Sequence, residues 1–140
     1  MSTQIADKSG LFLAKYNIGT GMMGAPDFQV VLTVNTVDKE VNGMGRITQA
    51  VNPPVDVRTR IDGRYFEPIQ VRDVPMIQVS LTGYPVLHAP SVGRIGIVLL
   101  PNVYLSMMLS ADWKSGTASY RYHGADEQWH EVSGVPVKLD

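Results

Sequence analysis

The chain has 140 residues with 12 basic and 13 acidic side chains, a formal net charge of −1 and no cysteine. This length fits one domain that can bury a core without a covalent staple. The missing cysteines exclude disulfides, cysteine zinc ligands and a thiol nucleophile. Because no basic stripe is present, nucleic acid is not expected as a partner.

The sequence predicts an N-terminal tail over residues 1–10 and a single β domain over residues 11–140. The tail has neither a basic start nor an apolar stretch of the usual length, so we expect no signal peptide and a cytoplasmic protein. No apolar run in the chain approaches the ~20 residues of a membrane helix, so no membrane span is expected.

The predicted strands begin with Leu11–Ile18, in which apolar and polar residues alternate. The following Gly19–Gly24 matches GxGxxG, but another strand pattern comes next instead of a helix. A phosphate site of this type needs a helix N-terminus, so we interpret the segment as a hairpin loop.

Alternation with a period of two continues along the chain and is clearest from Val55 to Phe66, where apolar residues face charged ones. Similar patterns are found in Phe28–Thr36, Ile77–Thr82 and Gly116–His123, whereas Arg94–Leu100 is apolar on both faces, as for a fully covered strand.

The segment Leu99–Ala111 fits both a helical stripe and a strand, and we favour the strand because its neighbours are strands. About eight to ten short strands separated by turns predict an all-β fold, an antiparallel β-barrel. A two-sheet β-sandwich is the alternative.

The stretch SYRYHGADEQWHEV, Ser119–Val132, has the densest ionisable and aromatic side chains in the chain. His123, Asp126 and His130 are candidate metal ligands, because zinc binds imidazole and carboxylate groups when three converge at ~2.0–2.2 Å. A hairpin that turns at Gly124–Asp126 is the preferred interpretation, and no cofactor is predicted. In that hairpin, Trp129 faces the core if His130 faces water.

Aromatic side chains supply the candidate ligand-binding residues, since their rings wall pockets and stack against sugars. The candidates are Tyr104, Trp113, Tyr120, Tyr122 and Trp129, and core packing is the alternative for each.

Catalysis is not predicted. The chain contains no GxSxG motif. Glu127 and Glu131 would lie ~13 Å apart on one strand face, which is too far for an inverting carboxylate pair.

Two passages, Leu13–Gly21 and Val34–Pro54, resemble a small bacterial family known only as a domain of unknown function. The resemblance implies a bacterial origin and no known activity, and it does not extend to Ser119–Val132. The chain is also similar, at the level of fold, to avidin- and lipocalin-type barrels. This likeness rests on a strand, a Gly-x-Gly turn, a second strand and the late Ala111–Ser115. Such likeness does not establish function.

These observations predict a non-enzymatic binding module for a small molecule or glycan on a β-barrel. The alternative is a self-associating homo-oligomer, suggested by the apolar Arg94–Leu100 and by Met107 and Met108. A hydrolase that uses the last hairpin ranks third.

Overall fold

The structure, a computed structural model, describes residues 10–86 and 99–140, except for the side chains of residues 68–70. The described residues form eight antiparallel strands in one closed barrel, in which each strand pairs with the next and β8 pairs with β1. This confirms the predicted barrel over the sandwich. The strands are β1 Leu11–Ile18, β2 Asp27–Asn35, β3 Glu40–Gln49, β4 Val55–Val71, β5 Val74–Pro85, β6 Val103–Ser110, β7 Ser115–His123 and β8 Trp129–Leu139.

Several sequence predictions are settled by these bounds. The ambiguous Leu99–Ala111 contains the strand β6, not a helix. Strand β3 was missed, because glycines occupy inward positions where the alternation rule expects apolar side chains. Most of the predicted strand Arg94–Leu100 lies outside the described residues. Within the described ranges, no helix is long and apolar enough to cross a membrane.

The barrel interior is a packed core made from the inward-facing side chains of all eight strands. Strand β4 follows its predicted faces, with Thr59, Ile61 and Tyr65 buried and the intervening arginines and aspartates exposed. The interior of an eight-stranded barrel is either filled by side chains or wide enough for one small ligand. In the described chain, buried side chains from all eight strands fill it.

Inward glycines let neighbouring strands approach closely at the bends of the barrel. A Cβ atom on Gly43 would overlap the carbonyl oxygen of Val31, and one on Gly63 would overlap the carbonyl oxygen of Ser80. Glycine in a strand commonly marks such close backbone approaches and tight bends.

One end of the barrel, formed by the turns 36–39, 72–73 and 111–114, is plugged by Trp113. This side chain is 3% exposed, and its ring meets those of Phe12 and Tyr65 edge to face at 5.3 and 4.9 Å. The hydroxyl of Tyr16 donates a 2.8 Å hydrogen bond to the Trp113 carbonyl oxygen. Burial raises the pKa of Tyr16, so its phenol stays protonated and keeps this donor.

The opposite end, which we call the mouth, is formed in the described chain by the connections 19–26, 50–54 and 124–128. Near the mouth, the β7–β8 ladder contains a β-bulge, where Ser119 faces both Ser133 and Gly134. Gly134 has a φ of 64° and donates its backbone N–H to Ser119 Oγ at 3.0 Å. Positive φ suits glycine, which has no Cβ to clash.

The two tryptophans give a test of the plug. We expect Trp113→Ala to lower the free energy of unfolding by about 3–5 kcal/mol, because it empties a buried aromatic site. Trp129→Ala, at the 44% exposed tryptophan, should cost less than about 1 kcal/mol. Urea unfolding followed by circular dichroism measures both values. Equal losses would contradict the assignment of Trp113 as the plug.

Candidate functional site

The β7–β8 hairpin presents its side chains on two opposite faces. Tyr122 pairs with His130 on the inward face, and His123 pairs with Trp129 on the outward face. The hairpin predicted for this stretch is present. His130 points inward and Trp129 lies outside, so the two residues are on opposite faces as predicted, and the condition for a core Trp129 is not met.

A cleft at the mouth, which we call the mouth cleft, lies between the β3–β4 connection and the β7–β8 turn and encloses about 390 Å³. Its lining is mixed, with prolines and valines beside a few polar side chains. The lining residues are Gln49, Val51, Asn52, Pro53, Pro54, Val55, Asp56, Val57, Tyr122, Gly124, Ala125, Asp126 and His130. A concave surface with few polar groups is typical of small-molecule sites.

Asp126 and His130 form the polar centre of the mouth cleft. Nε2 of His130 lies 2.9 and 3.1 Å from the two carboxylate oxygens of Asp126. Asp126 also accepts the backbone N–H of Gln128 at 3.1 Å. The bond from Gln128 and, after it, the bond to His130 lower the pKa of Asp126, because both stabilise the carboxylate. Asp126 is therefore an anion at neutral pH.

Tyr122 borders the cleft from the core side and is almost fully buried. Its ring stacks on the His130 imidazole with 5.1 Å between centroids and an interplanar angle of 25°. Burial, and then the charge of Asp126, raises the pKa of Tyr122. Tyr122 therefore remains a neutral phenol at physiological pH.

A second carboxylate, Asp56, stands at the edge of the mouth cleft. Arg46 holds it with Nε and Nη2, each 2.9 Å from a carboxylate oxygen. This hydrogen-bonded pairing lowers the pKa of Asp56. The cleft is thus lined by two carboxylates, one of them already paired with an arginine, and it favours ligands that bring hydrogen-bond donors.

A separate group of side chains, which we call the outer cluster, comprises Tyr104, Arg121, His123 and Trp129 on the outer face of β6–β8. The Tyr104 and Trp129 rings are 5.6 Å apart and tilted by 31°, and His123 meets Trp129 edge to face at 5.4 Å. Cζ of Arg121 lies 4.9 Å from the Tyr104 ring centroid and 5.7 Å from that of Trp129. These cation–π contacts explain why a tryptophan is stable on the outside.

The five predicted aromatic ligand-binding residues do not meet in one place. Trp113 and Tyr120 are buried in the core, Tyr122 joins the core to the mouth cleft, and Tyr104 and Trp129 belong to the outer cluster. Within the part of the chain that the structure describes, the buried Tyr120 hydroxyl has no hydrogen-bond partner.

The three candidate metal ligands divide in the same way. Asp126 and His130 meet in the mouth cleft, whereas His123 lies on the other face of the hairpin beside Trp129. Across residues 10–86 and 99–140, no three histidine or acidic side chains come together as a metal site.

Sequence reasoning missed Asn52, Asp56 and Arg121 as site residues. Asn52 was noted only as part of a turn signal, and Asp56 only as one charge of an exposed strand face. Asn52 and Asp56 approach Asp126 and His130, which are some seventy positions away, only because the strands pair into a barrel. A local sequence pattern does not predict such contacts.

A family model described as a domain of unknown function (DUF1842) matches residues 9–129. The match covers most of the chain and extends into the final hairpin, beyond the passages that carried the resemblance. No curated protein matches the chain.

The lowered pKa of Asp126 has a consequence for stability. The folded-state pKa is depressed, so this carboxylate stabilises the fold above the unfolded Asp pKa of about 3.9, and the contribution is lost as pH falls through the folded pKa. We expect Asp126→Asn to weaken the pH dependence of the unfolding free energy below about pH 4.

Urea unfolding at a series of acidic pH values measures this dependence. Glu127→Gln, which removes the neighbouring exposed carboxylate, is the control. If both variants change the acid dependence equally, the hydrogen bonds of Asp126 are not its cause.

Proposed function

The chain belongs to the family described as a domain of unknown function (DUF1842), and we propose that it is a non-enzymatic binding module for a small hydroxylated molecule, either free or at the end of a glycan. The observation that carries this proposal is the mouth cleft, in which the Asp126–His130 pair meets the Tyr122 ring stacked on His130.

The size and chemistry of the cleft support this ligand class. About 390 Å³ lies within the range of small-molecule pockets, which is roughly 300–1,000 Å³. Carboxylate oxygens of Asp126 accept hydroxyl protons, and the Asn52 amide can donate and accept. The half-exposed His130 imidazole, with the buried Tyr122 ring stacked behind it, offers a flat face to the apolar side of a sugar or similar ring. Two carboxylates in the lining disfavour an anionic ligand.

The composition of the cleft supports binding over turnover. A histidine held by an aspartate resembles the base and orienting acid of hydrolases, which also require a nucleophile. The described lining includes no serine, threonine or cysteine. Asp56, the second carboxylate, is paired with Arg46. A hydrolase that uses this hairpin is therefore the most distant proposal.

Self-association is the second candidate, favoured by an apolar patch on the outer face of β1–β3. Leu13, Val31 and Met44 are 65%, 44% and 48% exposed, and Val31 lies directly opposite Met44 in the ladder. Met107, one of the two methionines that suggested self-association from the sequence, is buried in the core and does not support this candidate. A patch of this kind suits contact with a second copy of the chain.

Ligand binding is tested by thermal unfolding with a panel of neutral sugars and polyols. A ligand at about ten times its Kd should add about 1.4 kcal/mol and raise Tm by roughly 4–6 °C. We expect that shift to disappear in His130→Ala, which removes the stacked ring and the partner of Asp126.

Glu127→Gln is the matched control, because Glu127 lies in the same turn but does not line the cleft, and it should keep the full shift. A shift that survives His130→Ala would place the ligand elsewhere. No shift with any member of the panel would contradict this ligand class, and hydrolysis of a panel member would contradict the non-enzymatic role.

Native mass spectrometry tests the second candidate. If copies associate through the β1–β3 patch, the measured mass is an integer multiple of the mass of the single chain. The double variant Leu13→Lys, Met44→Lys should then be a monomer, because association would bury two charges. Val37→Lys, at a 78% exposed residue in the β2–β3 turn, should leave the assembly intact. A monomeric parent protein would exclude this candidate.

A further inference from the structure

The outer cluster contains a cation whose hydrogen-bonding groups are not used within the protein. Cζ of Arg121 lies over the rings of Tyr104 and Trp129, and within the described chain its side chain makes no hydrogen bond or ion pair. A guanidinium has five N–H donors in a planar fork that matches a carboxylate. The cation–π contacts do not use these donors, so they are available to an external acceptor.

The acidic residue nearest in register does not neutralise this arginine. Glu131 lies directly opposite Arg121 in the β7–β8 ladder, yet no ion pair joins them. Its carboxylate instead accepts a hydrogen bond from the Ser133 hydroxyl at 3.3 Å. Glu131 is thus an acceptor beside Arg121 and not its partner.

A shallow depression of about 200 Å³ opens between these two charged side chains. Its lining includes the ring of Tyr104 and the residues Ser106, Ser119, Arg121 and Glu131. The depression thus combines an aromatic face, hydroxyl groups, a cation and a carboxylate. It has room for one ring-sized group.

The aromatic part of this surface is already ordered. Tyr104 and Trp129 contact each other, His123 supports Trp129 from the side, and all three are anchored on paired strands. A surface that is fixed before binding loses little side-chain entropy when a ligand arrives. Such rings bind the apolar face of a flat molecule or a sugar.

We propose that the outer cluster and the adjoining depression form a second binding site, which takes an acidic sugar of the uronic acid type. Arg121 pairs with the sugar carboxylate, Glu131 and Ser106 bond its hydroxyl groups, and Tyr104 with Trp129 stacks on its apolar face. This site lies outside the mouth cleft and does not depend on the function proposed for it. The two sites differ in charge, because the outer site contains an arginine that pairs with no acidic side chain of the described chain, whereas Asp56, a carboxylate of the cleft, is already paired with Arg46.

Glucuronate and glucose are matched probes, since they differ only in a carboxylate against a hydroxymethyl group. The chain has two tryptophans, so a ¹H–¹⁵N NMR spectrum has two indole N–H signals. We expect glucuronate to shift the Trp129 signal and leave that of the buried Trp113 in place. Glucose at the same concentration should produce a much smaller shift.

Three variants assign the effect to Arg121. Arg121→Gln should weaken glucuronate binding about tenfold or more, because it removes charge-assisted hydrogen bonds. Arg121→Lys should restore only part of the affinity, because lysine keeps the charge without the planar fork. Arg60→Gln removes a positive charge elsewhere on the outer surface and should have no effect. An unchanged Trp113 signal verifies that each variant is folded.

Equal shifts with glucose and glucuronate would overturn the proposal, and so would equal losses in Arg121→Gln and Arg60→Gln. A short polyglutamate peptide is the final probe. If it moves the Trp129 signal at lower concentration than glucuronate does, the surface recognises acidic protein segments and the assignment to a sugar is wrong.

Discussion

Closure of the barrel depends on a short seam between the first and last strands. Only three residue pairs join β1 to β8 in the described chain, whereas β1 and β2 share eight. Tyr16 is one of the three seam residues on β1, and its hydroxyl also holds the carbonyl of Trp113. One side chain therefore links the seam to the plug. Because a closed barrel has no long free edges, this link also limits pairing with strands of other chains.

The packed interior determines where chemistry can occur. Large side chains from every strand fill the centre, and Trp113 fills one end. The fold-level likeness to avidin- and lipocalin-type barrels is one of architecture, and in the described chain the interior is occupied by side chains. Polar groups with unused hydrogen-bonding capacity lie at the mouth and on the outer face of β6–β8. Both locations are carried by the same hairpin, whose two faces differ in charge.

The sequence predicted most of the fold because alternation is strong where large apolar residues face inward, as in Phe28–Val34. It failed for β3, where Gly43 and Gly45 replace those residues at close strand contacts. The final hairpin, dense in ionisable side chains, supplied Asp126 and His130 as candidate metal ligands with His123, and the structure brings these two together without His123. Their neighbours Asn52 and Asp56 come from a distant part of the sequence, which a local pattern does not reveal. Alternation put Trp129 and His130 on opposite faces but did not say which face is inward, and in the structure His130 is inward and Trp129 lies outside beside Arg121.

At the bulge beside Gly134, the alternation of inward and outward side chains along β8 shifts by one residue. On the mouth side of the bulge His130 and Val132 face inward, and beyond it Val135 and Val137 do so, because one extra residue has been added between them. The extra residue is taken up where Ser119 faces both Ser133 and Gly134, so the two halves of the strand keep the same inward face. A chain shortened by one residue there would pair Ser119 with a single residue, in regular alternation, and would leave His130 inward and Trp129 outside. In a strand without a bulge, a shift of one residue moves every side chain to the other face, so the bulge is the place in β8 where a single-codon deletion leaves both surfaces as they are.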